Sequence, residues 1–113
     1  TGIPYRDQRY IDAYLGMLKD FTRETAGIRR PGSAALDFAY VAAGRLDGFW
    51  ELGLSVWDFA AGALLVEEAG GVVSDISGGS QHLQTGNVIC ANIKLHGEMA
   101  KTIRKHLPGD LSA

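Results

Sequence analysis

The sequence lacks the features that mark several classes of protein. It has a single cysteine, Cys90, so an internal disulfide is excluded. Its 11 basic and 13 acidic residues give a net charge of -2, and no basic stripe is present that would favour nucleic acid or an anionic membrane. No apolar run is long enough to span a bilayer, and no signal-peptide pattern opens the chain. We therefore expect a cytoplasmic protein without a membrane partner, in which Cys90 is a buried, reduced thiol.

The length and composition indicate one domain with a substantial core. The chain has 113 residues, of which 46% are hydrophobic. It begins at Thr1 and not at a methionine, and the first five residues (TGIPY) are typical of a strand that ends in a turn. We expect the chain to be part of a larger protein, and a processed product and a proteolytic piece both remain open.

The first half of the chain shows helical and strand-like patterns in turn. Apolar residues at three- and four-residue steps predict an amphipathic helix from about Arg6 to Glu24. Residues 26–32 (AGIRRPG) predict a short strand that ends in a turn. Ser33 is a suitable N-cap for a helix that ends near Gly44.

The second half continues the alternation. Residues 46–54 (LDGFWELGL) predict a strand between two turns, and Val56 to Ala69 predicts a helix that is buried on most faces because it is apolar almost all round. The runs VVSDI and NVICAN predict two further strands, before a helix from Leu95 to Leu107 and a frayed tail over residues 108–113. The pattern favours an α/β fold, a layered sheet with helices packed on it.

Asp58 is the first candidate for chemistry, because it lies in the first turn of a predicted helix. The helix dipole favours a carboxylate there, so a purely structural role has about even odds on position alone. Small residues around Asp58 leave room for a ligand, and Glu51 ends the preceding strand. The helix start at Gly32–Ser33–Ala34 offers backbone N–H groups to an anion. These groups suit a hydroxylated, phosphorylated ligand with a hard divalent cation, although one carboxylate is a poor magnesium site.

The remaining polar residues favour structural interpretations. We predict a structural hydrogen bond for Asp37 and turn-stabilising roles for Asp47 and Asp75. For the larger side chains, we predict that Arg29 and Arg30 are a solvated or interfacial pair and that His82, His96 and His106 lie at the surface. We predict that Trp57 is a packing anchor beside the site and that Trp50 lies in the core or in an interface.

One long motif carries a resemblance to a known family. Residues 57–71 (WDFAAGALLVEEAGG) resemble the C-terminal signature of the inositol monophosphatase family. Residues 29–54, the run VVSDISGG and the run TGNVICAN are similar to the family in type and order. The resemblance covers almost the whole chain. It implies that residues 1–113 are the C-terminal half of an αβαβα sandwich, and that the N-terminal half is not in this chain.

The resemblance also implies roles for individual residues. Asp58 would be a Mg²⁺ ligand, Glu51 would hydrogen-bond an inositol hydroxyl, and Gly32, Ser33 and Ala34 would contact the sugar ring and phosphate. No catalytic residue is expected in this chain, because the residues that activate water belong to the other half of the family's fold. The full protein would hydrolyse inositol monophosphate with Mg²⁺ as cofactor, and the isolated chain would be inactive.

Two kinds of alternative remain open, a different phosphate ester as the substrate and a protein-binding role. Related phosphatases of the superfamily act on fructose bisphosphate, histidinol phosphate or adenosine bisphosphate, and the sequence does not rank these small-molecule phosphate esters. The resemblance is closest to a bacterial branch that is also associated with RNA polymerase and transcription factors, which implies a possible protein partner. Family members are commonly homodimers, so self-association of the full protein is expected.

Overall fold

The protein, seen in a computed structural model, is described over residues 1–2, 10–30 and 32–107. From residue 34 onward helices and strands alternate, as predicted, whereas the first two elements are both helices. The elements are α1 (Ile11–Glu24), α2 (Ala34–Ala42), β1 (Gly48–Glu51), α3 (Val56–Glu68), β2 (Val72–Ser74), α4 (His82–Thr85), β3 (Val88–Ala91) and α5 (Ile93–Arg104). Within the described ranges, no helix is both long enough and apolar enough to cross a membrane.

The three strands form an antiparallel sheet with β3 in the centre. Cys90 of β3 lies opposite Phe49 of β1 on one side and opposite Val73 of β2 on the other. All four residues of β3 are buried, because the strand has a neighbour on each edge and helices on each face. The predicted burial of Cys90 is confirmed, and desolvation raises the pKa of its thiol to about 12.

Alternate residues of the sheet belong to two separate cores, which gives three layers. Trp50 and Ile89 pack with residues of α1 and α5, whereas Phe49 and Val88 pack with residues of α2 and α3. This follows from the period of two along a strand, which sends successive side chains to opposite faces. The sheet therefore lies between an α1/α5 layer and an α2/α3 layer, and Trp50 is a core residue, as predicted.

Two predictions near the first helix have different outcomes. The described part of the first helix begins at Ile11, and the start that we predicted near Arg6 lies outside the described residues, as do residues 108–113. The strand predicted over residues 26–32 is wrong for the described part of that segment. Its backbone accepts a hydrogen bond at Arg29 O from Thr1 N, 3.2 Å away, but the described residues supply no β-ladder beside it.

The prediction that α3 is buried on most faces is also wrong. Its buried residues, Phe59, Gly62, Ala63 and Val66, follow one stripe that packs on α2 and the sheet. Trp57, Leu64 and Leu65 are 80%, 57% and 52% exposed, so Trp57 is not the packing anchor that we predicted. A helix that is apolar all round suits a position between two layers, and the described residues provide one of them.

Of the three histidines that we predicted at the surface, one is buried and two are partly exposed. His82 is buried beside the ring of Phe59, with 6.4 Å between the ring centroids. His96 Nε2 lies 2.7 Å from Ser74 Oγ, and His106 Nε2 lies 2.6 Å from Asp20 Oδ2. The histidines therefore connect α4, α5 and α1 to their neighbours, which a search for metal-ligand spacing does not reveal.

Candidate functional site

The two helices whose starts carry Ser33 and Asp58, α2 and α3, pack against each other through their middle turns. The ring of Phe38 stacks on that of Phe59 with 6.0 Å between centroids, and a Cβ added at Gly62 would overlap the side chain of Phe38. Phe38 follows Ser33 by five residues, and Phe59 follows Ser55 by four. At about 1.5 Å per residue, each helix start lies roughly 6–8 Å along its axis from the shared contact.

The start of α2 has the geometry that the sequence predicts. Ser33 is the N-cap, and its hydroxyl oxygen accepts a 3.4 Å hydrogen bond from Leu36 N. Gly32 has φ +88°, a left-handed conformation that glycine adopts without a steric penalty. The chain therefore turns sharply into the helix at Gly32–Ala34, and the first N–H groups of α2 lie at this turn.

Asp58 lies in the first turn of α3, as predicted, and its side chain is half-buried. Its backbone N–H donates a 2.9 Å hydrogen bond to Ser55 O, which closes the first turn of the helix. The partial positive charge at a helix N-terminus stabilises a carboxylate in this position. Asp58 is thus held at the helix end where an anionic side chain is electrostatically favoured.

Glu51 ends β1 on the face of the sheet that α2 and α3 cover. It pairs with Val88, a residue of the α2/α3 core, and strand residues that are directly opposite share a face. Its carboxylate packs over Gly2, where an added Cβ would overlap Oε1. The Gly32–Ala34 turn and Asp58 therefore belong to the α2/α3 layer, and Glu51 lies on the face of the sheet that this layer covers.

The loop between Glu51 and Asp58 is fastened to the turn before β3. Gly53 N donates to Asn87 Oδ1 at 2.9 Å, and Leu54 N donates to Gly86 O at 2.8 Å. Gly86 has φ +71°, and a Cβ on it would overlap Leu54 O. Glycine at position 86 allows the close approach that fixes the spacing between the end of β1 and the start of α3.

Asp37 is the main polar feature of this layer that the sequence analysis misjudged. Its side chain is 1% exposed, and neither carboxylate oxygen has a hydrogen-bond partner among the described residues, so the predicted structural hydrogen bond is wrong. Burial raises the pKa of this carboxyl above its ordinary value. One feature of the sequence could have indicated this burial: Asp37 is the single charged residue between Ser33 and Gly44, in an otherwise apolar helix.

We expect Asp37→Asn to raise the free energy of unfolding of the chain at pH 7 by about 1–2 kcal/mol. The substitution removes a buried charge that has no hydrogen-bond partner among the described residues and whose desolvation outweighs the attraction of the Thr1 ammonium. The folded-state pKa lies above the unfolded value, so the carboxyl stabilises the fold most when protonated. Stability contributed by this group is therefore lost as pH rises from about 3.8 through the folded pKa. Urea unfolding between pH 4 and 8 measures this slope.

The control for Asp37→Asn is Asp12→Asn, which makes the same charge change at an exposed position in the first turn of α1. The free energy of unfolding of the control at pH 7 should equal that of the original chain or be slightly lower. If Asp37→Asn is less stable than the original chain at pH 7, the buried carboxylate has a stabilising partner and this interpretation of Asp37 is wrong.

The described residues do not form a complete metal centre. They contain no group of three or more His, Cys, Asp or Glu side chains that could hold a metal ion. Magnesium requires near-octahedral oxygen coordination, to which Asp58 can supply a carboxylate oxygen. The described residues by themselves therefore do not complete a magnesium site.

Comparisons with known proteins agree with the motif analysis. A model of the inositol monophosphatase family matches residues 2–108. The Nus factor SuhB of Pseudomonas aeruginosa is 53% identical over 113 residues, covering 98% of this chain and 42% of that protein. The crystal structure of the extragenic suppressor protein suhB from Bartonella henselae superimposes with a TM-score of 0.88 at 44% identity, covering 94% of this chain and 40% of that chain.

A third relative shows that the likeness extends beyond proteins that are named SuhB. The structure of inositol monophosphatase from Anabaena (Nostoc) gives a TM-score of 0.79 at 36% identity, covering 96% of this chain and 43% of that chain. This chain thus spans about two fifths of the length of the relatives that it matches. The likeness covers nearly all of the described layers, including both helix starts.

Proposed function

The chain belongs to the inositol monophosphatase family, and from that premise we propose that it is the substrate- and metal-contributing C-terminal part of a Mg²⁺-dependent phosphatase. The substrate that we propose for the full-length parent is inositol monophosphate. The observation that supports the proposal is the packing of α2 on α3, whose starts at the Gly32–Ala34 turn and at Ser55–Asp58 each lie roughly 6–8 Å along the helix axis from the shared Phe38–Phe59 contact.

Asp58 is the proposed metal ligand of this part. Its carboxylate is half-buried at a helix N-terminus, so its negative charge is favoured and its position is restricted. A magnesium ion bound there would neutralise phosphate charge and lower the pKa of a bound water. The remaining ligands and the water-positioning groups would come from the part of the parent that lies outside residues 1–113.

Glu51 and the start of α2 are the proposed substrate contacts. A carboxylate accepts hydrogen bonds from two sugar hydroxyls, and the first N–H groups of a helix donate to anionic or polar oxygens. Because the loop between Glu51 and Asp58 is fastened at Gly53 and Leu54, the sugar-binding and metal-binding carboxylates keep a fixed spacing. Fixed spacing orients the phosphate ester without a rearrangement of the protein.

The exposed apolar face of α3 supports the proposal that further layers complete the fold. Trp57, Leu64 and Leu65 would be covered by the rest of the parent in an αβαβα sandwich, which explains why this helix is apolar all round. We propose that the parent works in the cytoplasm as a homodimer. The isolated chain would be inactive, because it lacks the other metal ligands.

The proposed substrate is tested by a phosphate-release assay on the full-length parent with Mg²⁺. Inositol monophosphate should give the highest kcat/KM in a panel that includes fructose bisphosphate, histidinol phosphate and adenosine bisphosphate. A far higher kcat/KM for one of the other three would contradict the substrate assignment while leaving the phosphatase assignment in place. No phosphate release from any of the four would contradict both.

Glu51→Gln in the parent should lower kcat/KM for inositol monophosphate about tenfold or more, since a charge-assisted hydrogen bond to a hydroxyl is worth roughly 1.5–3 kcal/mol. Glutamine keeps the size of the side chain and removes the charge. The assay should use inositol monophosphate beside a generic aryl phosphate that lacks the sugar hydroxyls. An equal loss on both substrates would show that Glu51 does not recognise the sugar.

A role in transcription is the second proposed function, and it rests on the name Nus factor carried by the 53% identical relative. Binding of the full-length parent to purified RNA polymerase can be measured alongside that of Asp58→Asn. Binding that survives the substitution would support a role separate from catalysis. The absence of binding by the unaltered parent would remove this second proposal.

A further inference from the structure

A second concave site lies at the opposite ends of α2 and α3 from Asp58. A cavity of about 310 Å³ is bounded by the C-terminal turns of both helices, the loop after α2, and Asn92 before α5. Ala69 follows Asp58 by eleven residues, so the two sites are roughly 16 Å apart along α3. The volume is at the small end of the range for ligand pockets and is large enough to admit one long side chain.

The electrostatics of this cavity favour a cation. The C-terminus of a helix carries a partial negative charge, and a basic residue in the last turn usually offsets it. α1 and α5 have such residues, Arg23 for α1 and Lys101 with Arg104 for α5. α2 and α3 have none in their last turns, so two helix ends without a basic side chain meet at the same cavity. Backbone N–H groups after each helix already donate to some of their last carbonyls, including that of Val66.

Asp47 adds a full negative charge to these helix ends. It is the ionisable residue in the cavity wall, it is exposed, and it forms no ion pair among the residues that the structure describes. The nearby guanidinium of Arg45 lies 6.0 Å from the centre of the Tyr40 ring and is not part of the wall. The cavity is therefore negative in character and has no cation of its own among its lining residues.

The positive end of α5 does not reverse this balance. Asn92, which lines the cavity, is the N-cap of α5, and its Oδ1 accepts a 2.8 Å hydrogen bond from Leu95 N. One backbone N–H of that helix start is thus already satisfied. The negative partial charges of two helix C-termini and the carboxylate of Asp47 therefore outweigh the positive partial charge of one capped helix N-terminus.

The walls suit the aliphatic part of a long basic side chain. Val41, Leu46 and Val66 contribute apolar surface, against which the methylene groups of arginine or lysine pack well while the charged end reaches polar atoms. The hydrogen bonds that close the turn after α2 go to the carbonyls of Ala39, Tyr40 and Val41. Within the described residues, the hydrogen bonds of this turn leave the carbonyl of Ala42, a residue of the cavity wall, without a backbone donor.

We propose that this cavity receives an arginine side chain presented by a protein partner. Arginine fits better than lysine, because its planar guanidinium can bond Asp47 and a backbone carbonyl at the same time. The site is separate from the proposed phosphatase centre, so this proposal can be tested independently of phosphatase activity. A single side chain in an open pocket binds weakly, with a dissociation constant on the order of millimolar.

The test is an amide NMR titration of the full-length parent with the capped peptide acetyl-Gly-Arg-Gly-amide. Its matched control has citrulline, the neutral analogue of the same shape, in place of arginine. The arginine peptide should shift the amide signals of Gly70, Gly71 and Asn92, and the citrulline peptide should not. Equal shifts with both peptides, or shifts confined to other residues, would overturn the proposal.

Variants and a competing ligand sharpen the test. Asp47→Asn should weaken arginine-peptide binding about fivefold, the loss expected for one exposed ion pair, whereas Asp12→Asn on α1 should leave it unchanged. Equal weakening by both variants would show that net charge alone attracts the peptide and would overturn the site. Spermidine binding at these amides more tightly than the peptide would assign the cavity to a free polyamine and overturn the protein-partner proposal.

Discussion

Asp58→Asn in the full-length parent is expected to lower kcat/KM for inositol monophosphate by at least about 100-fold, because a metal ligand contributes several kcal/mol of transition-state stabilisation. Asparagine keeps an oxygen at nearly the same position but removes the charge that a magnesium ion requires. The thermal midpoint should change little, since the side chain is half-buried and asparagine also suits a helix start. Initial rates of phosphate release at saturating Mg²⁺ measure the effect.

The matched control is Glu67→Gln, which removes the same charge from the exposed end of α3. Glu67 follows Asp58 by nine residues, so it lies roughly 13 Å further along the helix and cannot share a ligand with it. Its rate should equal that of the unaltered parent. An Asp58→Asn protein that keeps full activity would mean that Asp58 serves only the helix start.

Gly86→Ala is expected to lower the free energy of unfolding of the chain by about 3 kcal/mol. Two penalties combine, because alanine is strained at φ +71° and its Cβ would overlap Leu54 O. Relief of the overlap requires the loss of the hydrogen bond from Leu54 N to Gly86 O. Chemical unfolding of the 113-residue chain, followed by circular dichroism, measures the change.

Gly53→Ala, in the facing loop between β1 and α3, separates the two penalties. Gly53 has φ +74°, but a Cβ there would meet nothing within 4 Å, so only the backbone strain of about 1 kcal/mol applies. In the full-length parent, Gly86→Ala should also lower activity more than Gly53→Ala, because it moves the loop that separates Glu51 from Asp58. Equal stabilities for the two variants would show that the close approach at Gly86 is not a constraint.

Features set by local interactions were predictable from the sequence. Ser33 caps α2 because its hydroxyl reaches the N–H of Leu36, a contact that depends only on neighbouring residues. Asp75 accepts hydrogen bonds from the N–H groups of Ser77, Gly79 and Gln81, which is the turn role that its flanking sequence indicated. The buried strand β3 was evident from its continuous apolar run.

Features set by distant parts of the chain were not predictable. The segment before α2 has the composition of a strand but lacks a ladder among the described residues, and strand formation depends on a partner. The burial of Asp37 and His82 arises where α2 and α4 pack on the rest of the layer, and no local pattern encodes it. For the site, the motif identified Asp58 and Glu51, while the fastening of their loop at Gly86 and Asn87 required the three-dimensional structure.

The central claim is that Asp58 is one ligand of a metal site that this chain shares with the rest of the parent. A Mn²⁺ titration followed by electron paramagnetic resonance, which detects free Mn²⁺, tests it directly. The full-length parent should bind Mn²⁺, Asp58→Asn should bind it at least about tenfold more weakly, and the 113-residue chain alone should show no specific binding. Unchanged affinity in Asp58→Asn, or equal affinity in the isolated chain, would contradict the account.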